Sequence, residues 1–411
     1  MRVLYLHQYF TTPDMGGGTR SYELARRFVA AGHTVNMITA RRQGTRNRAW
    51  ERTTEGGITV DWRWIPYSNT MGHSRRILAF LRYAASSTAR AIRLGGDVVY
   101  ASSTPLTVAI PGVVASLLRR IPLVFEVRDL WPEGPVAVGA LRNPVLIWGG
   151  RILERIAYKR AAHVVALSPG MAESIAASGT PCNRISVVPN GCDIEFFASV
   201  NENSPELSAV VPDLAGRPVV LYAGALGAVN GVTYVADIAA EMLRCGNSTA
   251  FVVMGEGVEK PAIRRHAEEL GVLNRNFFLL DARPKKDMPW VFASATLVIS
   301  VVIDNEMMWK NSANKFFDGL AAGRPVVINH EGWQADLLRS AGAGLVVPPC
   351  DPVQAAAEIG AFLASSGMIR SASEAAARLA RERFDRDGQA AKVWEIVEGA
   401  VKARRERRRI A

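Results

Sequence analysis

The 411-residue chain is 49% hydrophobic and 21% charged, an ordinary globular composition that excludes a disordered or fibrous protein. Its length calls for two domains of roughly 200 residues rather than one core. Net charge is +11 and lopsided: residues 1–200 hold 24 Lys and Arg against 13 Asp and Glu, while 201–411 hold 25 of each, so the first half is expected to face a polyanion or an anionic surface. Basic and aromatic residues are not interleaved as a nucleic-acid surface would require. Cys182, Cys192, Cys245 and Cys350 lack C-x-x-C spacing and histidine neighbours, which points to a reducing compartment and against a zinc or disulfide frame.

In chain order, Met1 leads directly into the alternating run MRVLYLHQYF, so a first strand and no secretory leader are expected. GGGTRSYELARRFVAAGH follows as a helix, with Tyr22, Ala25, Phe28 and Val29 on one face and a stop at Gly32. Further strands are read at TVNMITA, ITVDWRW, DVVYAS, PLVFEVR, HVVALS and ISVVPN, then at RPVVLYA, AFVVMGEG, NFFLLD, LVISVV, PVVINH and GLVVPP. The uncharged stretch Val98–Leu118 reads as strand, loop and buried helix rather than a membrane span, because Pro105, Pro111 and several Ser and Thr interrupt it. Short β-rich runs alternating with helical periods predict two Rossmann-like parallel-sheet domains facing across a cleft, with ligands at the carboxyl ends of the strands. The expected division is 1–197, a polar linker at 198–216, a second domain at 217–375, and a C-terminal helix with a basic tail at 376–411 crossing back to the first domain.

SRRILAFLRYAASSTARAIR is helical in period. Arg75, Arg76, Arg82, Arg90 and Arg93 fall on one third of its circumference, and Ile77, Leu78, Leu81, Ala84 and Ile92 lie opposite, on the expected core side. The arginine face is expected to meet an anionic membrane, assisted by the tail KARRERRR.

Three stretches carry chemistry. Gly16, Gly17 and Gly18 lie between strand and helix, where a backbone without Cβ atoms can approach a diphosphate; a flexible turn is the plain alternative. In VRDLWPE, Asp129 and Glu133 are close carboxylates and Trp131 a possible sugar-stacking wall, although Arg128 and Asp129 would equally suit a structural ion pair. In NSANKFFDGLAAGRPVV, Ser312 is expected to cap a helix whose free N–H groups, with Lys315, face an anion. A lysine at a helix start opposes the dipole, which suits a phosphate ligand better than it suits stability. Asp318 lies one turn on, and a surface Lys315–Asp318 pair is the plain alternative. Asp385-Arg386-Asp387 has the D-x-D shape of metal-dependent sugar transferases, but Asp387 is read as a helix cap instead.

The glycine loop, VRDLWPE, SVVPNGCDIEFF, VMGEG and NKFFDGLAAGRPVV occur in the order found in family-4 retaining glycosyltransferases of the GT-B fold, and the likeness covers nearly the whole chain. The set most resembles the branch acting in O-antigen, capsule and exopolysaccharide assembly, including aminodeoxyhexose transferases. That resemblance implies a cytoplasmic enzyme, peripheral on the inner membrane face. It would move a sugar from a UDP-linked donor, such as an N-acetylated aminodeoxyhexose, to a lipid-diphosphate-linked saccharide, with no metal or cofactor.

It further implies that Asp129, Glu133 and Lys315 are catalytic, and that Gly16, Gly17, Gly18, Asn190, Gly255, Glu256, Arg283, Lys310, Asn314, Lys315 and Asp318 hold the donor, Asp318 on the ribose. His7 and Trp131 would approach the acceptor, although a lone histidine is more often structural. Two departures stand out. The family's E-x₇-E pair falls on Lys310 and Asp318, and its arginine and lysine after the donor domain's first strand fall on Ala225 and Asn230, so diphosphate neutralisation is expected to shift to Lys315, the helix terminus and Lys310. A GT-B sugar-nucleotide 2-epimerase and a non-catalytic membrane-associated scaffold are the competing readings, since a fold by itself fixes no activity.

Overall fold

A run of apolar residues with turn signals on both sides forms a strand buried on both faces when helices cover the sheet, and most strands of this protein are of that kind. The computed structural model describes residues 1–15, 17–42, 49–68, 71–201 and 203–410. It divides into unit 1 (Met1–Thr12, Gly18–Pro189 and Asp387–Ala411) and unit 2 (Pro13–Gly17 and Asn190–Arg386).

Unit 1 holds β1 (Arg2–Leu6), β2 (Thr34–Arg41), β3 (Trp50–Glu55), β4 (Ile58–Trp64), β5 (Val98–Ser102), β6 (Leu123–Val127), β7 (His163–Ala166) and β8 (Ile185–Val187). The sheet order is β3-β4-β2-β1-β5-β6-β7-β8, parallel except for the β3–β4 pair. Helix α1 (Arg20–Ala30) and the C-terminal helix Arg386–Ile410 share one core with the sheet, through Leu24, Phe28, Val393, Val397 and Val401. Helices α2 (His73–Leu94), α3 (Ala109–Arg119) and α5 (Pro144–Arg160) lie side by side, α2 on α3 and α3 on α5, with the short α4 (Glu133–Ala137) preceding α5.

Unit 2 holds β9 (Val219–Ala223), β10 (Ala250–Met254), β11 (Phe277–Leu280), β12 (Leu297–Ser300), β13 (Val326–Ile328) and β14 (Gly344–Val346), in the parallel order β11-β10-β9-β12-β13-β14.

Four expectations need correction. β3 was not expected, because WERTTE is a polar edge strand with little burial and no apolar alternation; it pairs with β4 across the Gly56-Gly57 turn, where both glycines have positive φ. The boundary falls at Pro189–Asn190, not at 198–216. Residues 198–216 carry Leu207 and Leu214, which are buried in a unit 2 core with Phe292 and Val298. The single terminal helix is instead two, Ser366–Arg383 and Arg386–Ile410, broken at Phe384 and Asp385, and the chain rejoins unit 1 at Asp387 rather than 376. Finally, Leu78 and Leu81 are 46% and 50% exposed, so they share the outward face of α2 with Arg75, Arg82 and Arg93. Arg90 turns in to the buried Asp61 at 2.8 Å, and Arg76 lies over the Tyr67 ring.

A buried ion pair ties β8's exit to the middle of unit 1. Arg20, on α1, reaches Glu126 on β6 at 2.9 Å, and both side chains are almost fully buried. Glu126 also accepts from Tyr100 and Ser102. Burial opposes its ionisation, but Arg20, Arg128 and these hydroxyls outweigh burial and hold its carboxyl below the ordinary value. Arg20 spends its remaining donors on the carbonyls of Val188 and Pro189, the last two residues before the chain enters unit 2. Removing one partner leaves an uncompensated buried charge. Glu126→Leu is therefore expected to destabilise unit 1 by about 3–5 kcal/mol, and the double change Arg20→Met/Glu126→Leu by clearly less, read by denaturant unfolding of the two variants.

Candidate nucleotide-sugar site

The helix Asn314–Ala321 follows the loop after β12, and its N-cap, Ala313, makes no side-chain cap. Ser312 does not cap it as expected: its carbonyl accepts from the Asn190 side chain at 2.7 Å, which fixes the loop instead. The first N–H groups of this helix therefore have no side-chain acceptor at the cap position, and they carry the positive end of the dipole. Asn314 is exposed at this terminus.

Lys315, in the first turn, is only 8% exposed. Its ammonium donates to Asn230 Oδ1 at 3.1 Å and lies 4.9 Å from the centre of the Tyr222 ring. Neither partner carries a charge. Burial alone lowers its pKa from the ordinary 10.5 to about 8. Gly224 makes room for the lysine stem, since a Cβ there would stand 3.1 Å from Lys315 Cε. A cation with an amide, a π face and an open helix start around it has the chemistry that an anion would need.

The anticipated Lys315–Asp318 pair does not form. Both Asp318 oxygens accept from Lys285 at 2.8 Å, and the Lys285 ammonium sits 5.0 Å from the Phe197 ring centre. Lys285 was not anticipated. RPKKDMPW reads as a solvated charge run, and only the fold sets one of its lysines against a carboxylate 33 positions away. An ionised carboxylate offers about four lone-pair positions, so Asp318 is fixed by Lys285 while keeping acceptor capacity for hydroxyls.

The other donor candidates are more scattered. Gly255 and Gly257 answer to backbone packing: a Cβ would come within 1.9 Å of the Gly224 carbonyl and 2.0 Å of the Leu226 carbonyl, respectively. Glu256 is largely exposed and bound by Lys260, which also holds Asp281. Arg283 faces Asp287 at 3.5 Å and stacks over Trp290. Lys310 ends the short helix Glu306–Trp309, half-buried. Gly17 has a φ of 127°, open to glycine and little else, and the Gly18 carbonyl accepts from Thr11; Gly16 lies outside the described residues.

In unit 1, His7 follows β1 and is buried. Arg128 Nη1 lies 3.2 Å from His7 Nε2, and Ser21 Oγ 2.6 Å from Nδ1. A guanidinium only donates, so Nε2 is the acceptor and Nδ1 carries the proton toward Ser21. Burial, then Arg128 and Arg42, push the His7 pKa well down, and the ring is neutral at pH 7. Arg128 is thus committed to His7, not to Asp129, whose Oδ2 accepts from Thr104 at 2.8 Å. Glu133 is held by Arg151 of α5 at 3.1 Å, and Trp131 is half-buried between the two carboxylates in sequence. Asp129 and Glu133 have separate partners. The D-x-D residues also part: Asp387 binds Arg27, and Arg386 binds Asp193 and the Gly191 carbonyl. Asp387 lies in the first turn of its helix, with its carboxylate committed to Arg27. Among the described residues no cluster of His, Cys, Asp and Glu is arranged to hold a metal ion.

Residues 15–191 match the Glycosyl transferase 4-like domain family, and residues 217–365 the Glycosyl transferases group 1 family. The chain thus carries a glycosyl transferase 4-like domain followed by a glycosyl transferases group 1 domain, on two parallel-sheet units of the GT-B kind. An α-D-kanosaminyltransferase of Streptomyces kanamyceticus is 23% identical over 245 residues, which are 57% of this chain and 59% of that protein, under two thirds of its length. A putative colanic acid biosynthesis glycosyl transferase, WcaI of Escherichia coli K12, is 24% identical over 69% of this chain and 72% of its own. The structure of Anabaena HepE in complex with UDP-glucose has the same fold, with a TM-score of 0.71 at 19% identity, covering 97% of this chain and 100% of that one.

A depressed lysine pKa has two measurable consequences. The unfolded chain holds this proton up to about 10.5, the folded one only to about 8. The cost of burying the ammonium is therefore full below pH 8 and fades as pH rises toward 10.5, and it is on the order of 3 kcal/mol. Lys315→Met is expected to raise stability at pH 7 by up to that order. A bound diphosphate would restore the ordinary pKa, so at pH 8, where the ligand's own terminal phosphate (pKa about 6) is already ionised, Lys315 should take up about half a proton on binding a nucleoside diphosphate. Calorimetry in buffers of different ionisation enthalpy reads this uptake, and Lys315→Met should abolish it.

Proposed function

We propose that the protein is a retaining glycosyltransferase that moves a sugar from a UDP-linked donor to a lipid-diphosphate-linked saccharide in surface polysaccharide assembly. It would work on the cytoplasmic face of the membrane as a peripheral protein. The observation that carries the reading is Lys315, a buried ammonium with no charged partner among the described residues, at a helix start without a side-chain cap. The choice of donor is supported by the structural neighbour that holds UDP-glucose, and the choice of product by the relative named for colanic acid biosynthesis. The kanosaminyltransferase, whose name denotes an amino sugar, supports an N-acetylated aminodeoxyhexose as the first donor to test.

The chemistry follows from where charge grows. As the bond from the sugar to the diphosphate breaks, negative charge collects on the leaving oxygen, and Lys315 with the helix N–H groups stabilises it in place. The leaving diphosphate oxygen then takes the acceptor hydroxyl's proton on the same face of the sugar, so configuration is retained without an enzyme nucleophile. Asp129 holds the acceptor by a hydrogen bond, the buried neutral His7 keeps Arg128 in place beside it in sequence, and Asp318 takes the ribose hydroxyls while Lys285 fixes its carboxylate. Glu133, fixed by Arg151, marks the acceptor's side of unit 1. No step in this scheme requires a metal.

The deciding experiment incubates a panel of nucleotide sugars with a prenyl-diphosphate-linked monosaccharide and reads product mass. A mass gain of one glycosyl residue of the donor's sugar, with retained anomeric configuration read from the product's NMR coupling constants, is expected; conversion of the donor alone to its 2-epimer would replace transfer by epimerisation. Lys315→Ala should lower kcat about 10²–10³-fold, more than it weakens donor binding, whereas a rise in KM alone would remove its role at the leaving group. Asp318→Ala should instead weaken UDP binding about tenfold, the scale of a hydrogen bond to a charged group. Chelators should leave turnover unchanged; loss restored by manganese would bring a metal into the scheme.

A further inference from the structure

Helices that follow parallel strands begin at the carboxyl ends of those strands. α2 follows β4 and α5 follows β6, so both start at the end of unit 1 that carries His7 and Asp129. Their opening turns are unusual for a water-facing surface. On α5, Val145 is 70% exposed, Leu146 41% and Trp148 66%. On α2, the exposed Leu78 and Leu81 alternate with the exposed Arg75 and Arg82. Between them, α3 contributes the half-exposed Ile110 and Val114, and the three helices are in contact in the order α2, α3, α5. Single exposed apolar side chains need no explanation; large ones gathered at one end of adjacent helices do.

We infer that the opening turns of α2 and α5 form a bilayer-insertion surface, with Leu78, Leu81, Val145, Leu146 and Trp148 entering the lipid interface. The charge of the surroundings selects an anionic bilayer over a second protein copy. α2 carries five arginines and no acidic residue, and Arg142, Arg151 and Arg155 are exposed on and beside α5. Two such arginine-rich faces would repel each other, while basic residues around an apolar, tryptophan-bearing face fit the headgroup region of anionic lipid. The surface is also coupled to the candidate acceptor residues. Arg151 lies one turn after Trp148 on the same helix and holds Glu133. An acceptor whose diphosphate sits at the headgroups would meet Asp129 and Glu133 from this end. The inference deepens the lipid-linked acceptor reading and rests on it for that last step alone.

The test uses the full-length protein and vesicles of phosphatidylethanolamine with phosphatidylglycerol. Leu81→Glu/Leu146→Glu/Trp148→Glu should bind such vesicles at least about tenfold more weakly than the parent. It should keep the parent's UDP affinity, its helical signal, and turnover of a short-chain, water-soluble acceptor. Brominated lipid should quench the parent's tryptophan emission, and Trp148→Phe should lose most of that quenching. Leu117→Glu/Leu118→Glu, at the far end of α3 beside the carbonyl of Arg120 that receives Arg408, should bind as the parent does. Undiminished binding by the triple variant would overturn the inference, as would loss of binding confined to the Leu117/Leu118 variant. A parent that dimerises through this face without binding vesicles would assign it to a second copy. Vesicle binding with no transfer to any lipid-linked acceptor would leave the surface standing and remove only the acceptor reading.

Discussion

An ammonium group held away from water without a counter-ion is costly, and the surroundings of Lys315 in unit 2 are organised around accepting that cost. Burial takes its pKa down to about 8, so the proton is held only weakly in the absence of a ligand. Each neighbouring feature makes sense as accommodation of that charge without neutralising it. Gly224 leaves space for the stem, Asn230 supplies one amide oxygen, Tyr222 supplies a π face, and the helix start stays uncapped. A carboxylate at position 230 would have satisfied the lysine and closed the site to anions. The nearby acid, Asp318, is instead occupied by Lys285. Pairing the wrong partners would give a more stable protein with nothing left to bind diphosphate, which is the usual opposition between stability and function.

Unit 1 treats its buried charge in the opposite way. Arg20 and Glu126 neutralise each other, and all three nitrogens of Arg20 and both oxygens of Glu126 have partners. This network carries no unsatisfied charge for a ligand to complete. Its effect is positional: it sets where Val188 and Pro189 leave the sheet, and through Arg128 it borders His7. Asn190, the next residue, takes up the task in unit 2 by holding the Ser312 carbonyl ahead of the Lys315 helix.

The sequence was legible where one residue type has one physical use. Continuous Val, Ile and Leu runs could only be buried strands, and all the strands read from such runs are present. The polar edge strand Trp50–Glu55 was illegible because its pairing satisfies backbone groups, not apolar side chains. The leucines of α2 were misplaced because periodicity assumes that apolar residues face inward, an assumption that fails when Leu78 and Leu81 stay exposed. Lys315 was legible from its conflict with the helix dipole. Lys285 was not, since a lysine among charged residues gives no local conflict, and only tertiary structure brings it to Asp318. The Ser312 cap failed for a similar reason: the helix begins with Ala313 as its cap, and both the hydroxyl and the carbonyl of Ser312 accept from Asn190 across a long sequence separation.

The uneven charge of the chain takes on meaning from these differences in burial. Exposed arginines on α2 and beside α5 act through water and salt, where their reach is limited to a Debye length of about 8 Å at physiological ionic strength. Such charges suit a partner that presents a continuous anionic plane, because many weak contacts add and none needs exact placement. A single diphosphate in a water-poor pocket is a different electrostatic object. One buried lysine would act on it with little screening, so such a site would need no surplus of positive charge in the second half of the chain, where acidic and basic residues balance. Excess charge is therefore useful only where it is exposed, and desolvated charge only where it is solitary. That division accounts for an excess of eleven positive charges within the first 200 residues beside a candidate anion site, outside that stretch, served by one cation.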